Sequence, residues 1–352
     1  MSKSRPTIYD VAREAGVSKS LVSLVLRGGT NVSTESRHTV QQAMEKLHYQ
    51  PSRAASDLAA KDTRLIVTLI DDYANPWFVD LLRGFDQVLT PAGYRISVLD
   101  SLTTRNAPRS TPGHPLGEIP PDTPTNPLPN ALPNALSMRP TGIVIACDLP
   151  DLPPAGTTPP FVIAGTRITS AEPADTVAND DFRGARLATG HLLGLGHRSI
   201  AHLSVTGGAG ERRREGYIQT MREHGQLPLA TPYRGPATEH AGYLSALKLL
   251  QGNPQVTAIF AANDVMAIGA LGAARELGLE VPGRLSVVGY DNTALAQTRL
   301  INLTTVDDDS VGVGLNAARL LLTKLDDETP GPVQHTLEPT LIERGTCAPP
   351  PH

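Results

Sequence analysis

The hydrophobic pattern changes period once along the chain. From Ile8 to Leu47 apolar residues recur at helical spacing in short blocks, and from Arg64 onward short apolar runs alternate with longer helical stretches. In the first region Ile8, Val11, Ala12 and Ala15 stand at i, i+3, i+4 and i+7. Gly16 and Val17 interrupt them, and Val22, Val25 and Leu26 resume the pattern after Ser18. The spacing predicts two short helices joined by a tight turn, a helix-turn-helix. Thr7 with Asp10 caps the first helix as a reciprocal box, and Ser18 caps the second. Ser33 caps a third helix whose apolar stripe is Val40, Ala43, Met44 and Leu47. Three such stripes close a small core and leave Lys19, Ser20, Ser23, Leu24 and Arg27 on the opposite face of the second helix. In a helix-turn-helix that face enters the major groove of double-stranded DNA. The alternative is an ordinary three-helix core with a solvated polar face.

Beyond the third helix, Tyr49-Gln50-Pro51 imposes an extended step, and Ser52 to Ala60 is alanine-rich with Ser52 available as a cap. Roughly nine residues are too few for a stable isolated helix in water, so this segment orders only against a partner. From Arg64 on, β-branched runs at Leu65 to Ile70, Tyr94 to Leu99, Gly142 to Ala146, Ser199 to Val205, Thr257 to Ala261 and Leu285 to Gly289 predict strands. Helices are predicted at Trp77 to Leu89, Phe182 to Leu193, Arg212 to His224 and Val265 to Leu277. Such alternation argues for parallel sheets with helices on both faces, and the length suits two lobes.

Charge sharpens the division. Residues 1–61 hold nine Lys or Arg against five Asp or Glu, a formal +4, whereas all 352 residues sum to −4, leaving −8 for the remainder. A basic head on an acidic body fits attraction to phosphates, although +4 is modest. The polar start Met1-Ser2-Lys3-Ser4-Arg5-Pro6 has no apolar core of a signal peptide, and no run is long enough to span a bilayer, so a cytoplasmic protein is expected. Cys147 and Cys347 have no Cys or His neighbour at metal or redox spacing, and both read as incidental.

The motifs Thr7-Ile8-Tyr9-Asp10-Val11-Ala12, Ala15-Gly16-Val17-Ser18, Val22-Ser23 and Tyr49-x-Pro51-x-x-x-Ala55-x-x-Leu58 resemble the head of the LacI/GalR family of transcriptional regulators. The resemblance runs through most of the chain and fades between about Thr103 and Pro140. It implies an all-α helix-turn-helix headpiece followed by an α/β two-lobed periplasmic-binding-protein-like domain. It divides the chain into residues 5–61, including a hinge helix at 52–60, and an effector-binding and dimerisation domain at 62–346. It also implies a homodimeric repressor on a pseudo-palindromic operator, DNA contacts from Thr7, Ser18, Asn31, Ser52 and Ala55 beside the recognition face, and Leu58 as an apolar wedge in the minor groove. Without the surrounding motif, Leu58 reads as a linker leucine packed on the body.

Three departures qualify the resemblance. Leu24 replaces an arginine common in the recognition helix, so the operator is expected to differ at the base pair such a side chain would read. Residues 105–140 hold ten of the 31 prolines and the near-repeat Leu128-Pro129-Asn130-Ala131-Leu132-Pro133-Asn134-Ala135-Leu136. That density precludes the expected crossover helix and suggests a disordered or extended insertion with a short helix at Asn130 to Ser137. Ala237 and Asp308 stand where relatives carry an aromatic residue and a glutamine, which weakens transfer of any particular ligand.

In doubly wound sheets ligands bind beyond the carboxyl ends of the strands. Asp72, Arg213, Asn263 and Asp291 follow such ends, and their carboxylates, amide and guanidinium suit the hydroxyls of a polyhydroxylated effector, a carbohydrate above all. Trp77 and Phe78 offer a stacking face. Each has a plainer reading: Trp77 and Phe78 as core behind the Asn75-Pro76 helix start, Asp264 as a helix cap, and Arg213 within Arg212-Arg213-Arg214-Glu215 as a solvated face. Convergence on one cleft favours Arg213, Asn263 and Asp291, with Asp72, Trp77 and Phe78 behind them.

Rival functions are less well supported. Gly208-Ala209-Gly210 lacks the third glycine of a dinucleotide fingerprint and the lysine of a P-loop. His191, His197 and His202 share no helical face at metal spacing, and His197 reads as a helix C-terminus residue. Neither a catalytic group nor a cofactor nor a metal is expected. A sugar-binding receptor without a DNA role would share the body but not the head.

Overall fold

The computed structural model describes residues 6–26, 32–49, 63–100, 131–149, 151–152, 159–169, 173–231, 237–326 and 331–351. The chain forms two compact units, residues 1–63 and 64–352.

In the first unit α1 (Ile8–Glu14), α2 (Lys19–Leu26) and α3 (Thr34–Lys46) pack around Val11, Ala12, Val22, Val25, Val40 and Ala43. The turn between α1 and α2 works because Gly16 takes a left-handed backbone, φ 66°, that a side chain would strain. The cap of α1 is carried by the carboxylate: Asp10 accepts from the Thr7 backbone N–H at 2.9 Å and from its hydroxyl at 2.7 Å. Leu21 N–H donates to Ser18 Oγ at 3.2 Å, and Ser36 N–H to Ser33 Oγ at 3.1 Å, so both predicted serine caps are in place.

The second unit is built on two six-stranded sheets. One has the order β11-β5-β4-β3-β1-β2, from β1 (Leu65–Ile70), β2 (Arg95–Asp100), β3 (Gly142–Ala146), β4 (Phe161–Ala164), β5 (Thr176–Asn179) and β11 (Gln334–Leu337). The other has the order β12-β10-β9-β8-β6-β7, from β6 (Ile200–Leu203), β7 (Leu229–Thr231), β8 (Ala258–Ala261), β9 (Ser286–Tyr290), β10 (Thr304–Asp307) and β12 (Thr340–Ile342). All pairings are parallel except β10 with β12. The helices are α4 (Trp77–Leu89), α5 (Ala131–Ser137), α6 (Asp181–Gly194), α7 (Gly208–Glu223), α8 (Glu239–Gly252), α9 (Asp264–Glu276) and α10 (Ser310–Leu325).

Among the described residues the chain passes between the lobes three times: from β5 into α6 at Asn179 to Asp181, from β10 into α10 at Asp307 to Ser310, and from β11 into β12 at Leu337 to Thr340. Helix α10 belongs to the first lobe, packed on α4 with Val313, Ala317, Ala318 and Leu321 in its core. The strands and helices expected from the apolar runs are present within a few residues. The alternation did not register β4, β5, β7, β10, β11, β12, α8 or α10; each of these six strands has only three or four residues. The short helix expected at residues 130–137 is α5, with Pro133 in its first turn, where a missing N–H costs little. Arg27, Asn31, Ser52, Ala55, Leu58, the hinge segment 52–60 and residues 105–130 of the insertion lie outside the described residues.

His197 is more than a helix terminus. Its ring nitrogens lie 2.8 Å from Thr257 Oγ1, 3.0 Å from Ser286 Oγ and 2.9 Å from the Ala348 carbonyl, so it fastens the C-terminal segment to the second sheet. His202 is fully buried on β6, 4.6 Å from the Phe260 ring and 5.2 Å from that of Tyr217. Its Nδ1 lies 2.9 Å from the Phe260 carbonyl, which accepts only, so Nδ1 carries the proton. Its Nε2 has no partner among the described residues. Burial pushes the ring down to about 4, the Phe260 carbonyl opposing.

Between pH 6.5 and about 4 the unfolded chain therefore binds a proton at this position that the folded chain refuses, and His202 costs stability as pH falls through that window. The full cost is about 3 kcal/mol. Urea unfolding of wild type and His202→Phe at pH 7.5 and 4.5 should show the variant gaining on the wild type by about 1–3 kcal/mol at the lower pH. Parallel pH profiles would contradict this.

Candidate functional site

In the headpiece, α2 turns Val22 and Val25 inward and leaves Lys19, Ser20 and Leu24 exposed, with Ser23 half-buried beside them. Lys19 donates to the Tyr9 hydroxyl at 3.1 Å and its ammonium stands 4.8 Å from the centre of that ring, which links α1 to the start of the second helix. Thr7 is exposed at the N-terminus of α1. An ammonium, two hydroxyls and an apolar side chain on one face of a helix of this width can meet phosphates, base edges and thymine methyl groups.

In the body, the residues just past the strand ends converge on the lobe crossings. Arg213 is buried on the inner face of α7, whereas Arg212 and Arg214 beside it are exposed, so the solvated reading fails for the middle arginine alone. Its Nε donates to Asp181 Oδ1 at 2.7 Å, and its Nη1 donates to the Ala262 carbonyl at 2.6 Å and lies 3.2 Å from Asp291 Oδ1. The Tyr290 ring centre is 3.6 Å from the guanidinium carbon. Burial works against this charge, but Asp181 and Asp291 outweigh it and raise the guanidinium above its ordinary range. Asp181 Oδ1 also accepts from Asn179 Nδ2 at 3.2 Å, so both ends of the first crossing are held together.

The second crossing carries Asp308, fully buried, whose Oδ2 accepts from the Trp77 indole N–H at 2.7 Å. Trp77 opens α4 in the first lobe, so this bond ties that helix to the crossing. Burial pushes the Asp308 carboxyl up to about 7, with Arg213 opposing and Asp181 adding. Burial likewise raises Asp291 well above the carboxylate range, with Arg213 opposing and Asp308 adding. Asp264 is pushed up to about 6 by burial, while its oxygens accept from Thr305 Oγ1 at 2.6 Å and from Thr293 N–H at 2.7 Å. It braces the loop after β9. Helix α9 is capped by Asn263, whose Oδ1 accepts from Met266 N–H at 2.9 Å.

The first lobe contributes Arg167 and Asp148. Arg167 Nη1 donates to Asp71 Oδ2 at 3.0 Å, its Nε donates to the Ala164 carbonyl at 3.1 Å, and its guanidinium lies 5.0 Å from the Trp77 ring centre. Asp148 Oδ1 accepts from Ile168 N–H at 2.8 Å and from Gly208 N–H, at the start of α7 in the other lobe, at 3.5 Å. The lobes meet closely there. A Cβ on Gly208 would lie 2.7 Å from the Arg167 carbonyl carbon and 2.8 Å from the Thr166 oxygen.

Of the residues singled out from sequence, Arg213 and Asp291 are adjacent, and Asn263 follows the carbonyl that Arg213 holds. Trp77 joins them through Asp308. Phe78 is buried in the first lobe's core, edge-on to Trp77 at 5.1 Å, and Asp72 Oδ1 accepts from Ala74 N–H at 2.8 Å within its own loop. Sequence reading missed Asp148, Arg167, Asn179, Asp181 and Tyr290. The strand-end rule reaches Asp148, two residues past β3, but Arg167 follows β4, Asn179 ends β5 and Asp181 follows it, and the alternation did not reveal those two strands.

Comparison with known proteins agrees with this architecture. Residues 7–52 match the lacI family of bacterial regulatory proteins, and residues 189–347 match a periplasmic binding protein-like domain. Catabolite control protein A of Priestia megaterium is 31% identical over 328 residues, covering 92% of this chain and 93% of its own. A solved LacI-family transcriptional regulatory protein from Corynebacterium glutamicum is 58% identical and superposes with a TM-score of 0.70 over 82% of this chain and 99% of its own. The lac repressor dimer, solved bound to operator and the anti-inducer ONPF, is 26% identical with a TM-score of 0.75 over 98% of this chain and 100% of its own. A helix-turn-helix head and a two-lobed body joined by three crossings thus have one common explanation: the chain belongs to the LacI family of DNA-binding transcriptional regulators.

Proposed function

We propose that this protein is a cytoplasmic homodimeric repressor that binds a pseudo-palindromic operator and responds to a small molecule held between the lobes of its body. The observation that carries the second half is the buried Arg213, fixed by Asp181 at the first crossing and by Asp291 just past β9. A solvated surface arginine needs no such pair, and breaking a buried pair by removing one partner costs about 3–5 kcal/mol. The first half rests on the exposed face of α2 and on the relative solved as a dimer on operator. On this reading residues 5–61 are the DNA-binding headpiece with the hinge at 52–60, and residues 62–346 bind the effector and dimerise. Thr7, Ser18, Lys19, Ser20, Ser23, Leu24, Arg27, Asn31, Ser52, Ala55 and Leu58 meet DNA. Arg213, Asn263, Asp291 and Trp77 face the effector, joined by Asp181, Asp308 and Arg167.

The mechanism follows from the crossings. A ligand that draws the lobes together turns the three connecting segments, and in a dimer that alters the separation of the two hinge segments. Each is too short to be a helix alone, so its order depends on meeting the other copy. A coupling of about 1–3 kcal/mol, roughly fivefold to 150-fold in affinity, suffices for a switch.

The purified protein should bind a DNA fragment from upstream of its own gene with steep salt dependence, and a small-molecule extract of the cells that make it should change that affinity at least fivefold. Binding that ignores sequence, or that no extract alters, would refute the proposal. Gly208→Ala should hold the lobes apart at the Arg167 backbone and weaken the extract's effect at least tenfold, read as the concentration needed to shift DNA binding. An unchanged concentration dependence would show that this approach plays no part.

A further inference from the structure

The charges around the crossings do not balance. In the second lobe and the crossings, Asp181, Asp291 and Asp308 share one guanidinium, that of Arg213. In the first lobe Asp71 pairs with Arg167, and Asp148 stands close enough to push the Asp71 carboxyl further up. Asp181, Asp291 and Asp308 are each at least nine-tenths buried; Asp181 Oδ2 and Asp308 Oδ1 have no hydrogen-bond partner among the described residues, whereas Asp291 Oδ1 has its ion pair with Arg213 Nη1 at 3.2 Å. Ser204 Oγ, just past β6, is a third buried oxygen without a hydrogen-bond partner among the described residues. A purely structural ion network closes its lone pairs, because an acceptor left unpaired in a low-dielectric interior is costly. Here two carboxylate oxygens remain open on one cluster.

Resting on the effector reading above, we infer that the effector is a molecule dense in hydrogen-bond donors that carries no anionic group, and that Asp308 is the residue that turns phosphorylated or carboxylated ligands away. Hydroxyls or amines would supply donors to the two open carboxylate oxygens. A phosphate would meet carboxylates on both sides of the cleft, with Arg167 already engaged by Asp71 and the Ala164 carbonyl and Arg213 by Asp181 and the Ala262 carbonyl. Like charges so close together in a buried site repel strongly. Burial first, and neighbouring carboxylates after it, raise the Asp291 and Asp308 carboxyls, with Arg213 opposing. Asp308 controls selectivity because it lies on the second crossing with one oxygen held by the Trp77 indole of the first lobe and the other without a hydrogen-bond partner among the described residues.

The test fractionates the cell extract by anion exchange at pH 8 and assays each fraction on the full-length protein, by its effect on binding to the upstream DNA and by thermal shift. The expected result is activity in the unretained fraction, with the retained anions at least tenfold weaker. Passing the unretained fraction over a cation exchanger then separates neutral polyols from amines, and activity in either supports the inference. Asp308→Asn, which keeps an acceptor for the indole and removes the charge, should narrow the preference of the protein for glucose over glucose 6-phosphate, read as the ratio of their thermal shifts. Activity confined to the retained fraction overturns the inference while leaving the effector site intact. An Asp308→Asn variant with the wild-type ratio removes Asp308 as the selecting residue. Silence of every fraction in both assays would fell the effector reading itself, and this inference with it.

Discussion

One buried guanidinium sets the geometry of the body. Arg213 reaches from α7 to Asp181 at the first crossing, to the Ala262 carbonyl at the end of β8 and to Asp291 after β9, so four separate segments of chain are referred to one planar group. A guanidinium suits this role because its donors lie in a rigid fork and its charge is not lost when buried. The Tyr290 ring beneath it adds a desolvated cation–π contact. If Arg213 were simply a surface residue, the carboxylates around it would have no reason to be buried.

The crossings are where a ligand can act on the whole chain. Asp181 lies on one and Asp308 on another, and each is bonded to a group on an element packed elsewhere: Asp181 to α7, and Asp308 to Trp77 at the head of α4. The first-lobe side is held by the Arg167–Asp71 pair and by the backbone of Arg167 against Gly208. Occupancy of the cleft therefore has direct mechanical purchase on the segments joining the lobes. On the proposed reading, in which two heads meet one operator, that purchase connects chemistry in the body with affinity in the head.

Much of this was legible in the sequence, for physical reasons that differ from part to part. The headpiece could be read because helical periodicity, serine caps and a turn glycine all pointed to the same three helices, and each is a local effect. The central strands could be read from their apolar runs, as parallel strands buried on both faces should be. The short strands β4 and β5 were not, and with them went Arg167, Asn179 and Asp181, whose importance comes from where those strands end. Arg213 looked like its neighbours Arg212 and Arg214 in sequence; only the helix's packing on the lobe separates one buried face from two exposed ones. Asp308 was visible as an oddity in place of a glutamine, but its bond to Trp77 joins residues 231 positions apart, a distance no local pattern encodes.

The most direct measurement is a double-mutant cycle on the first crossing, with Asp181→Asn and Arg213→Lys, reading the fold-change in operator affinity that a saturating active extract fraction produces. If the buried pair transmits the signal, each single substitution removes most of that fold-change and the double variant loses little more than the worse single. Independent, additive losses, or single variants that respond like the wild type, would show that the signal travels by another route and that Arg213 merely holds the body together.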